Sequence, residues 1–300
     1  MAIARRADPV DLAVPAPTEQ ARGTVRTYLR RWLPIGIGAL MAVAMIVVAA
    51  AAPLIAPLSP SAQFSDAVLT GPGAVERHML GTDEFGRDIL SRIIWGARIS
   101  LQVGLASVLF GFVLGVPLGI YAGYHGAWAE VTIMRATDML MAFPTLLLAL
   151  IIVTALGGTL VNEIMGIGIA LTPNFVRLAR SLTLTIRETD YIMAARAIGA
   201  GQFRAMARHI FPNALYALVV VATLYIATAI RTEASLSFLG LGIPPPTPSW
   251  GNILSEGRQY IKCCPWITTF SGLAIMAAVL AFNLVGDALR DLLDPRLKGE

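Results

Sequence analysis

The sequence predicts an all-α membrane protein with six transmembrane helices and both termini in the cytoplasm. Three observations lead to this fold class. Hydrophobic residues make up 56% of the 300 residues and charged residues only 14%, whereas soluble domains carry about 25% charged residues. Long uncharged runs separate the charged segments. Finally, arginine is concentrated in those segments that would share one side of a six-span chain.

The spans follow from the length of the apolar runs. Crossing about 30 Å of hydrocarbon takes roughly 20 apolar residues in a helix, and five runs come close to this or exceed it. A sixth run is shorter and contains Pro173, but it must cross so that its neighbours end on matching sides. The first run is too long, and too far from the N-terminus, for the core of a signal peptide. The predicted spans are residues 35–52, 99–124, 139–161, 164–176, 214–230 and 263–286.

The orientation follows from the arginines, because cytoplasmic loops carry an excess of basic residues. The N-terminal tail, the loop after the fourth span and the C-terminal tail are all basic, whereas acids balance arginines in the first outer segment. The N-terminal tail lacks apolar periodicity and is predicted to be disordered. The predicted organisation is a disordered tail (1–32), a first span with an outer amphipathic segment (33–98), a transmembrane core (99–287) containing a cytoplasmic loop (177–213), and a cytoplasmic C-terminal tail (288–300).

The chain lacks the motifs of an enzyme or a nucleotide-binding protein. A P-loop needs a lysine directly after a glycine, and neither Lys262 nor Lys298 follows a glycine. No histidine or cysteine spacing matches a zinc site, and no GxSxG motif is present. The arginines between apolar runs are explained by topology, so no nucleic acid is expected. Cys263 and Cys264 are two small apolar residues at the start of a span, or a strained vicinal disulfide.

The energy source for any transport must lie outside the spans. Carriers coupled to ion gradients usually need ionisable groups at membrane depth, but Asp138, Glu163 and Arg231 all lie near predicted span ends. A stand-alone secondary carrier or channel nevertheless remains the alternative function.

The second span carries a stripe of glycines at every fourth position, which places them on one helix face. A neighbouring helix can approach closely there, and Pro117 should kink the same span. The stripe is either a static packing seam or a seam that lines or flexes a pathway. Its members are Gly111, Gly115, Gly119 and Gly123.

Residues 190–213, "DYIMAARAIGAGQFRAMARHIFPN", predict two short helices separated by Gly199. Thr189 or Asp190 can cap the first helix, and a glycine commonly ends one. The module is either a thin helix that fits a groove on a partner or a hairpin on the membrane surface. The two apolar faces are Tyr191, Ala194, Ala195 and Ile198, then Phe203, Met206, Ala207 and Ile210, before Pro212 ends the module.

This module resembles the EAA loop of permease subunits in binding-protein-dependent ABC importers. In that family the loop is a coupling helix that fits a cleft on the cytoplasmic ATPase. Met193 stands where the family has an acid, which puts one polar contact with the partner in doubt. The coupling residues that the resemblance implies are Tyr191, Met193, Ala194, Ala195, Arg196, Gly199, Ile210 and Pro212.

Three further stretches resemble the dipeptide/oligopeptide/nickel class of these permeases. They are "HMLGTDEFGRDILSRIIWGARISLQVG" (78–104), "EASLSFLGLGIPPPTPSWGNIL" (233–254) and "GDALRDLLDPRL" (286–297). The first suggests the second permease of the pair. Its acids, Asp83, Glu84 and Asp88, could suggest a cation site, but Arg87 and Arg92 compete for them.

The 233–254 stretch resembles an outer loop that lies near the central pathway in this fold. Its Gly and Pro residues predict a non-helical segment around 240–251. Arg231 departs from the expected apolar residue. It either snorkels to water, pairs with Glu233, or faces the pathway and favours an anionic group such as a peptide carboxylate. The candidate outer-loop residues are Arg231, Glu233, Ser237 and Trp250.

The resemblance implies a type I ABC importer permease in the bacterial inner membrane. Its expected partners are a homologous permease, two cytoplasmic ATPase domains and an extracytoplasmic substrate-binding protein. ATP and Mg would bind the ATPases, so this chain would hold no cofactor and catalyse no reaction; it would couple hydrolysis to alternating access. Dipeptides, longer peptides, glutathione, opine-like compounds and nickel chelates are all carried within this class.

Overall fold

The computed structural model describes residues 25–293 and the side chains of residues 36–292, and this part of the chain is built from helices. A π-helical turn, Ala205–Ile210, joins α8 to α9, and a 3₁₀ turn, Arg258–Tyr260, follows α10. The helices are α1 Val25–Ala50, α2 Ala52–Ile55, α3 Ile89–His125, α4 Ala127–Met141, α5 Thr145–Leu156, α6 Leu160–Arg187, α7 Asp190–Ala197, α8 Gln202–Arg204, α9 Phe211–Phe238, α10 Trp250–Gly257 and α11 Trp266–Leu293.

Six helical segments correspond to the six predicted spans. Three are long and apolar enough to cross a membrane by themselves: α3, the continuous segment Gln202–Phe238, and α11. The α4–α5 pair meets the same test as one bent span, and α1 contributes the shorter apolar stretch Gly36–Ala50. The sixth is α6, with 28 residues. Helix α1 begins at Val25, inside the predicted tail, and the rest of that tail and residues 294–300 lie outside the described residues.

The third span is not the continuous helix predicted for residues 139–161. Helix α4 ends at Met141, α5 begins at Thr145, and the two axes are bent by 89°. Pro144 causes the break, because proline has no N–H and disfavours a helical conformation in the preceding residue, Phe143. The prediction followed the hydrophobicity of the run and overlooked this proline.

The fourth span is much longer than the predicted 164–176. Thr159 caps α6 by accepting a hydrogen bond from the Asn162 N–H, at 3.2 Å. At the cytoplasmic end, the Arg180 Nε donates to Glu130 of α4 at 2.8 Å, and Arg177 pairs with Asp138 at 2.8 Å. The apolar run therefore underestimates the helix, because α4 supplies carboxylates for its polar end.

The glycine stripe of α3 lies against α6. A Cβ added at Gly115 would stand 2.7 Å from the Phe175 Cβ, and one at Gly123 would stand 2.8 Å from the Thr183 Cβ. Gly111 meets Gly168 near one end and Gly123 meets Thr183 near the other, so the two helices run in the same direction. Any larger side chain on the stripe would push the helices apart, so the seam fixes their distance.

Candidate coupling surface and outer cap

Helix α7 ends at the predicted glycine. Gly199 has φ +90°, a left-handed conformation that residues with a Cβ rarely adopt. The Gly199 N–H donates to the Arg196 carbonyl at 2.9 Å, and the Ala200 N–H donates to the Ala195 carbonyl at 3.0 Å. These two bonds form a Schellman motif. At the start of α7, the Thr189 hydroxyl donates to the Ile186 carbonyl and does not cap the helix.

The last three residues of α3 contact the end of α6 and the module that follows it. Arg187 donates to the Gly123 carbonyl at 2.7 Å, where the negative end of the helix dipole favours a cation. The Arg196 guanidinium lies 4.7 Å from the centre of the Tyr124 ring. The next α3 residue, His125, bonds the Gln202 side chain at 3.2 Å. Sequence reasoning missed these contacts because their partners lie more than 60 positions apart.

One face of α7 is exposed and apolar. Ile192 is fully buried and holds the helix on the core, whereas the Ile198 side chain is 88% exposed. We define the α7 patch as Tyr191, Ala194 and Ile198, which share one side of the helix and are exposed; Met193 is also exposed, on a different side of α7. A contiguous exposed apolar patch is typical of a protein interaction site. Of the other predicted coupling residues, Arg196, Gly199 and Pro212 are exposed, Ala195 is half-buried, and Ile210 is fully buried.

The second half of the module does not present the predicted single face. Phe203, Met206 and Ala207 line a groove against α3, whereas Ile210 is buried in the main hydrophobic core. The π-helical turn Ala205–Ile210 explains the difference. A π-helix has more residues per turn than the α-helix that the prediction assumed, so Ile210 rotates away from Phe203.

A buried ion network holds the outer segment in place. The Arg87 Nε donates to Asp83 at 2.6 Å, and Arg92 also bonds Asp83. Both arginines form ion pairs with Glu256 of α10, Arg87 at 2.9 Å and Arg92 at 2.8 Å. The predicted competition of the arginines for Asp83 is confirmed. Glu256 was not predicted, because it lies 169 positions from Arg87.

Two further acids of the outer segment, Asp88 and Glu84, also have partners. Asp88 bonds His78 at 3.1 Å and caps α3 by accepting from the Ser91 N–H at 2.7 Å. Burial raises the pKa of Glu84, and the guanidinium of Arg87 opposes that shift. Carboxylate oxygens of Asp83, Glu84 and Glu256 lie within 4.8 Å of one another, but all three of these carboxylates bond Arg87.

The outer loop attaches to α3 through buried side chains. The Trp250 indole N–H donates to the Ile93 carbonyl at 3.0 Å, and the Trp250 backbone N–H donates to the Ser100 hydroxyl at 3.3 Å. The Ser237 hydroxyl donates to Glu233 at 3.1 Å. A cavity of about 460 Å³ lies beside Ser237. Trp250 therefore fixes the loop to α3, and Glu233, Ser237 and Trp250 are all buried. Their position near the pathway stays a prediction.

Arg231 does not pair with Glu233, contrary to one of the predicted alternatives. Residues two positions apart on a helix point to different sides, and among the described residues the hydrogen-bond partner of Glu233 is Ser237. Helix α9 also continues to Phe238, so Arg231 lies about two turns before its end. Its side chain is exposed.

Two acids are buried near helix ends, a burial that the sequence did not predict. Glu163 in the first turn of α6 and Glu233 in α9 are both 0% exposed. Within the described part of the chain, both Glu163 oxygens and one Glu233 oxygen have no hydrogen-bond partner. The two groups are near enough for their charges to repel each other. The prediction assigned Glu233 to the outer loop because it ended α9 too early.

The adjacent cysteines lie in the turn before α11, not within it. Both are free thiols, with Cys263 exposed and Cys264 buried. Their Sγ atoms are 2.8 Å apart. Burial, followed by the contact with Cys263, raises the pKa of Cys264 to about 11.

The comparisons with known proteins agree with this architecture. Residues 115–299 match the family "Binding-protein-dependent transport system inner membrane component". The chain is 45% identical over 262 residues to the dipeptide transport system permease protein DppC of Alkalihalophilus pseudofirmus, covering 87% of this chain and 86% of that protein. It is 44% identical over 275 residues to DppC of Escherichia coli (strain K12), covering 90% of this chain and 92% of that protein.

Another relative and a solved structure extend the comparison. The glutathione transport system permease protein GsiD of Pectobacterium atrosepticum is 43% identical over 274 residues, covering 91% of this chain and 90% of that protein. An inward-facing structure of the MetNI methionine ABC transporter aligns with a TM-score of 0.56 at 22% identity, covering 68% of this chain and 97% of the compared chain. At that identity the structure shows the fold alone, which is that of a type I importer permease.

The family match covers more than half of the chain, and the relatives match along nearly their whole length. The chain therefore belongs to the binding-protein-dependent transport system inner membrane components, as a DppC-like permease of an ABC importer.

Proposed function

We propose that this chain is one of two permease subunits in an ATP-driven importer of peptides or related small solutes. A homologous permease would complete the membrane channel, and an extracytoplasmic binding protein would deliver the substrate. Two ATPase domains would bind ATP and Mg in the cytoplasm. The names of the relatives, which include dipeptide and glutathione permeases, support this substrate class.

The α7 patch is the observation that carries the proposal. It lies on the basic, cytoplasmic side of the chain and presents apolar side chains outward, with Ile192 holding the helix from behind. An alanine-rich helix is thin enough to enter a cleft on a partner. The patch is therefore suited to dock on an ATPase, and Met193 would contribute an apolar contact in place of the family's acid.

The position of the module explains how docking would move the spans. The module connects α6 to α9 in the chain, and its Arg196 and Gln202 side chains contact Tyr124 and His125 at the cytoplasmic end of α3. A displacement of α7 would therefore reach three transmembrane helices at once. ATP binding would favour the outward-open state and hydrolysis the inward-open state. The glycine seam would keep α3 and α6 together as one unit during this change.

A stand-alone carrier or channel is the second candidate, and the buried Glu163 and Glu233 are the observation that favours it. Ionisable groups buried in transmembrane helices often mark ion pathways. Both acids lie toward the outer ends of their helices, however, and the family match favours the ABC importer. Transport by the purified chain without ATP or partners would establish the carrier function.

The test is a pull-down of the tagged chain from its native membrane in mild detergent, with partners identified by mass spectrometry. The wild-type chain should recover a second permease and an ATPase. Ile198→Asp and Gly199→Asp should lose the ATPase and keep the second permease, because both positions are exposed and have no role in the core.

Val75→Asp is the matched control for this experiment. It makes a similar change at an exposed position of the outer segment and should keep both partners. Recovery of a well-folded chain without partners would refute the importer assembly. Retention of the ATPase by Ile198→Asp and Gly199→Asp would refute docking through α7.

A further inference from the structure

An open apolar groove lies between α3 and the second half of the module. Its walls have almost no polar surface, and its volume is about 490 Å³. One wall follows α3 from Phe112 to Tyr121, about 13 Å of helix. The opposite wall belongs to the π-helical turn and its neighbours. The lining residues are Phe112, Val113, Val116, Pro117, Ile120, Tyr121, Phe203, Met206, Ala207 and Phe211.

The groove lies at the cytoplasmic end of the transmembrane core. Its α3 wall ends near His125, the last residue of that helix, and the contact between His125 and Gln202 closes this end with polar groups. From there the groove extends toward the middle of the span. It is therefore placed at the depth of the acyl chains of the inner leaflet.

The groove exposes apolar surface that needs an occupant. Phe203 is 80% exposed, and Val113 and Tyr121 are also exposed on the α3 wall. An empty apolar space of this size would leave its walls without the dispersion contacts of a packed interior. An open apolar groove that runs about 13 Å along a helix can accommodate part of an acyl chain.

Charge determines which lipid is favoured. Arg204 and Arg208 lie on the same segment as the groove-lining Phe203 and Ala207, and both are exposed. Among the described residues, neither has a carboxylate within ion-pair distance. Arginine side chains can extend from an apolar surface to the membrane interface. Basic pockets on the cytoplasmic side of membrane proteins suit anionic headgroups.

We propose that the groove binds one acyl chain of an anionic phospholipid, whose phosphate is held by Arg204 and Arg208. This lipid would pack against the π-helical turn that links the coupling module to α9. The inner leaflet would thereby stabilise the junction through which an ATPase would act on the spans. The lipid site stands on the groove and its arginines and does not depend on which solute is carried.

The test uses the full chain, with the subunits that copurify, in lipid nanodiscs. Two probes are compared: phosphatidylglycerol and phosphatidylcholine, each with a photoactivatable diazirine on one acyl chain. After illumination, mass spectrometry measures labelling of residues 112–121 and 203–211. Phosphatidylglycerol should label these segments at least fivefold more than phosphatidylcholine, because each arginine adds roughly a fivefold preference for an anionic surface.

Three variants separate the proposed site from ordinary lipid contact. The double change Arg204→Gln, Arg208→Gln should reduce phosphatidylglycerol labelling to the phosphatidylcholine level. Ala207→Trp should lower labelling by both probes, because the indole fills the groove. Arg135→Gln, at an exposed arginine of α4 that does not line the groove, should leave the preference unchanged.

Several results would overturn the proposal. Equal labelling by the two lipids in the wild type would show ordinary contact with the bilayer. An unchanged preference in the double arginine variant would show that these arginines do not hold the headgroup. Cross-links from the groove to a second permease would show that a protein, and not a lipid, covers this surface.

Discussion

The two ends of this permease differ in which side chains they bury and which they expose. At the outer end, charged side chains are buried and paired: Arg87 and Arg92 share Asp83 and Glu256, and the outer loop is fixed by Trp250. At the cytoplasmic end, apolar side chains are exposed, most fully Ile198. The outer cap is completed by groups of this chain, whereas the coupling module presents a surface suited to another molecule.

This difference implies that substitutions at the two ends should fail in different ways. Changes in the outer cap should reduce folding stability, because they leave buried groups without partners. Changes in the module should leave the fold intact and reduce partner binding or transport. The following variants test that contrast, beginning with the largest expected effect.

Asp83→Ala should destabilise the protein most. It leaves two buried guanidinium groups without one of their carboxylates, and breaking a buried ion pair costs about 3–5 kcal/mol. The midpoint of thermal unfolding in detergent should fall by roughly 6–12 °C or more. Asp138→Ala is the matched control, because its pair with Arg177 is more than half exposed and exposed pairs contribute at most about 1 kcal/mol. Similar losses in both variants would contradict the proposed role of burial.

Gly199→Val should disrupt the module without unfolding the spans. A β-branched residue is strained at φ +90°, at a cost of roughly 1–3 kcal/mol, so the end of α7 should unwind. Gly201→Val is the control. Gly201 has an extended conformation that valine favours, and a Cβ would meet no atom within 4 Å at either glycine. ATP-dependent uptake in vesicles should fall at least tenfold in the first variant only. Equal uptake in both would show that the Schellman end of α7 is dispensable.

Arg231→Leu should affect transport more than stability, because this arginine is exposed and lies apart from the buried outer network. If it faces the pathway, losing one hydrogen bond to an anionic group worth about 1.5 kcal/mol would slow uptake of substrates with a free carboxylate about tenfold. Amidated substrates provide the comparison and should be transported at the original rate. Unchanged uptake of both the carboxylate and the amidated substrates would show that Arg231 does not face the pathway.

Trp250→Phe should lower stability by about 1 kcal/mol, the usual contribution of one hydrogen bond, because it removes the donor to the Ile93 carbonyl. Trp128→Phe is the control at a side chain that is 85% exposed. Thermal unfolding of the two variants measures the difference. A midpoint for Trp250→Phe that matches the control would mean that packing alone holds the outer loop.

The two cysteines provide the mildest test of the outer cap. Maleimide at pH 7.5 should label the exposed Cys263 in the folded protein. Cys264 should stay unlabelled until denaturant is added, because it is buried and a pKa of about 11 keeps it protonated at that pH. Peptide mapping distinguishes the two sites. Equal labelling rates would show that the turn before α11 opens readily.

Sequence reasoning identified every span but misplaced several ends. Hydrophobic runs located the segments, because lipid requires long apolar stretches. The ends depended on local chemistry that hydrophobicity does not report, such as Pro144, which divides the third span, and Glu130 of α4, which extends α6 by pairing with Arg180. The glycine and alanine pattern predicted the two helices of the module, and the family resemblance suggested its role. The π-helical turn was not predicted, because it leaves no clear signal in residue spacing.

The sequence by itself determined the fold class, the orientation, the glycine stripe and the place of the module between two spans, because periodicity and arginine distribution are local properties of the chain. Only the tertiary structure revealed the pairing of Glu256 with Arg87 and Arg92, the contacts of the module with Tyr124 and His125, and the burial of Glu163 and Glu233. These features join residues far apart in sequence. Their existence depends on which helix faces meet, and packing alone decides that.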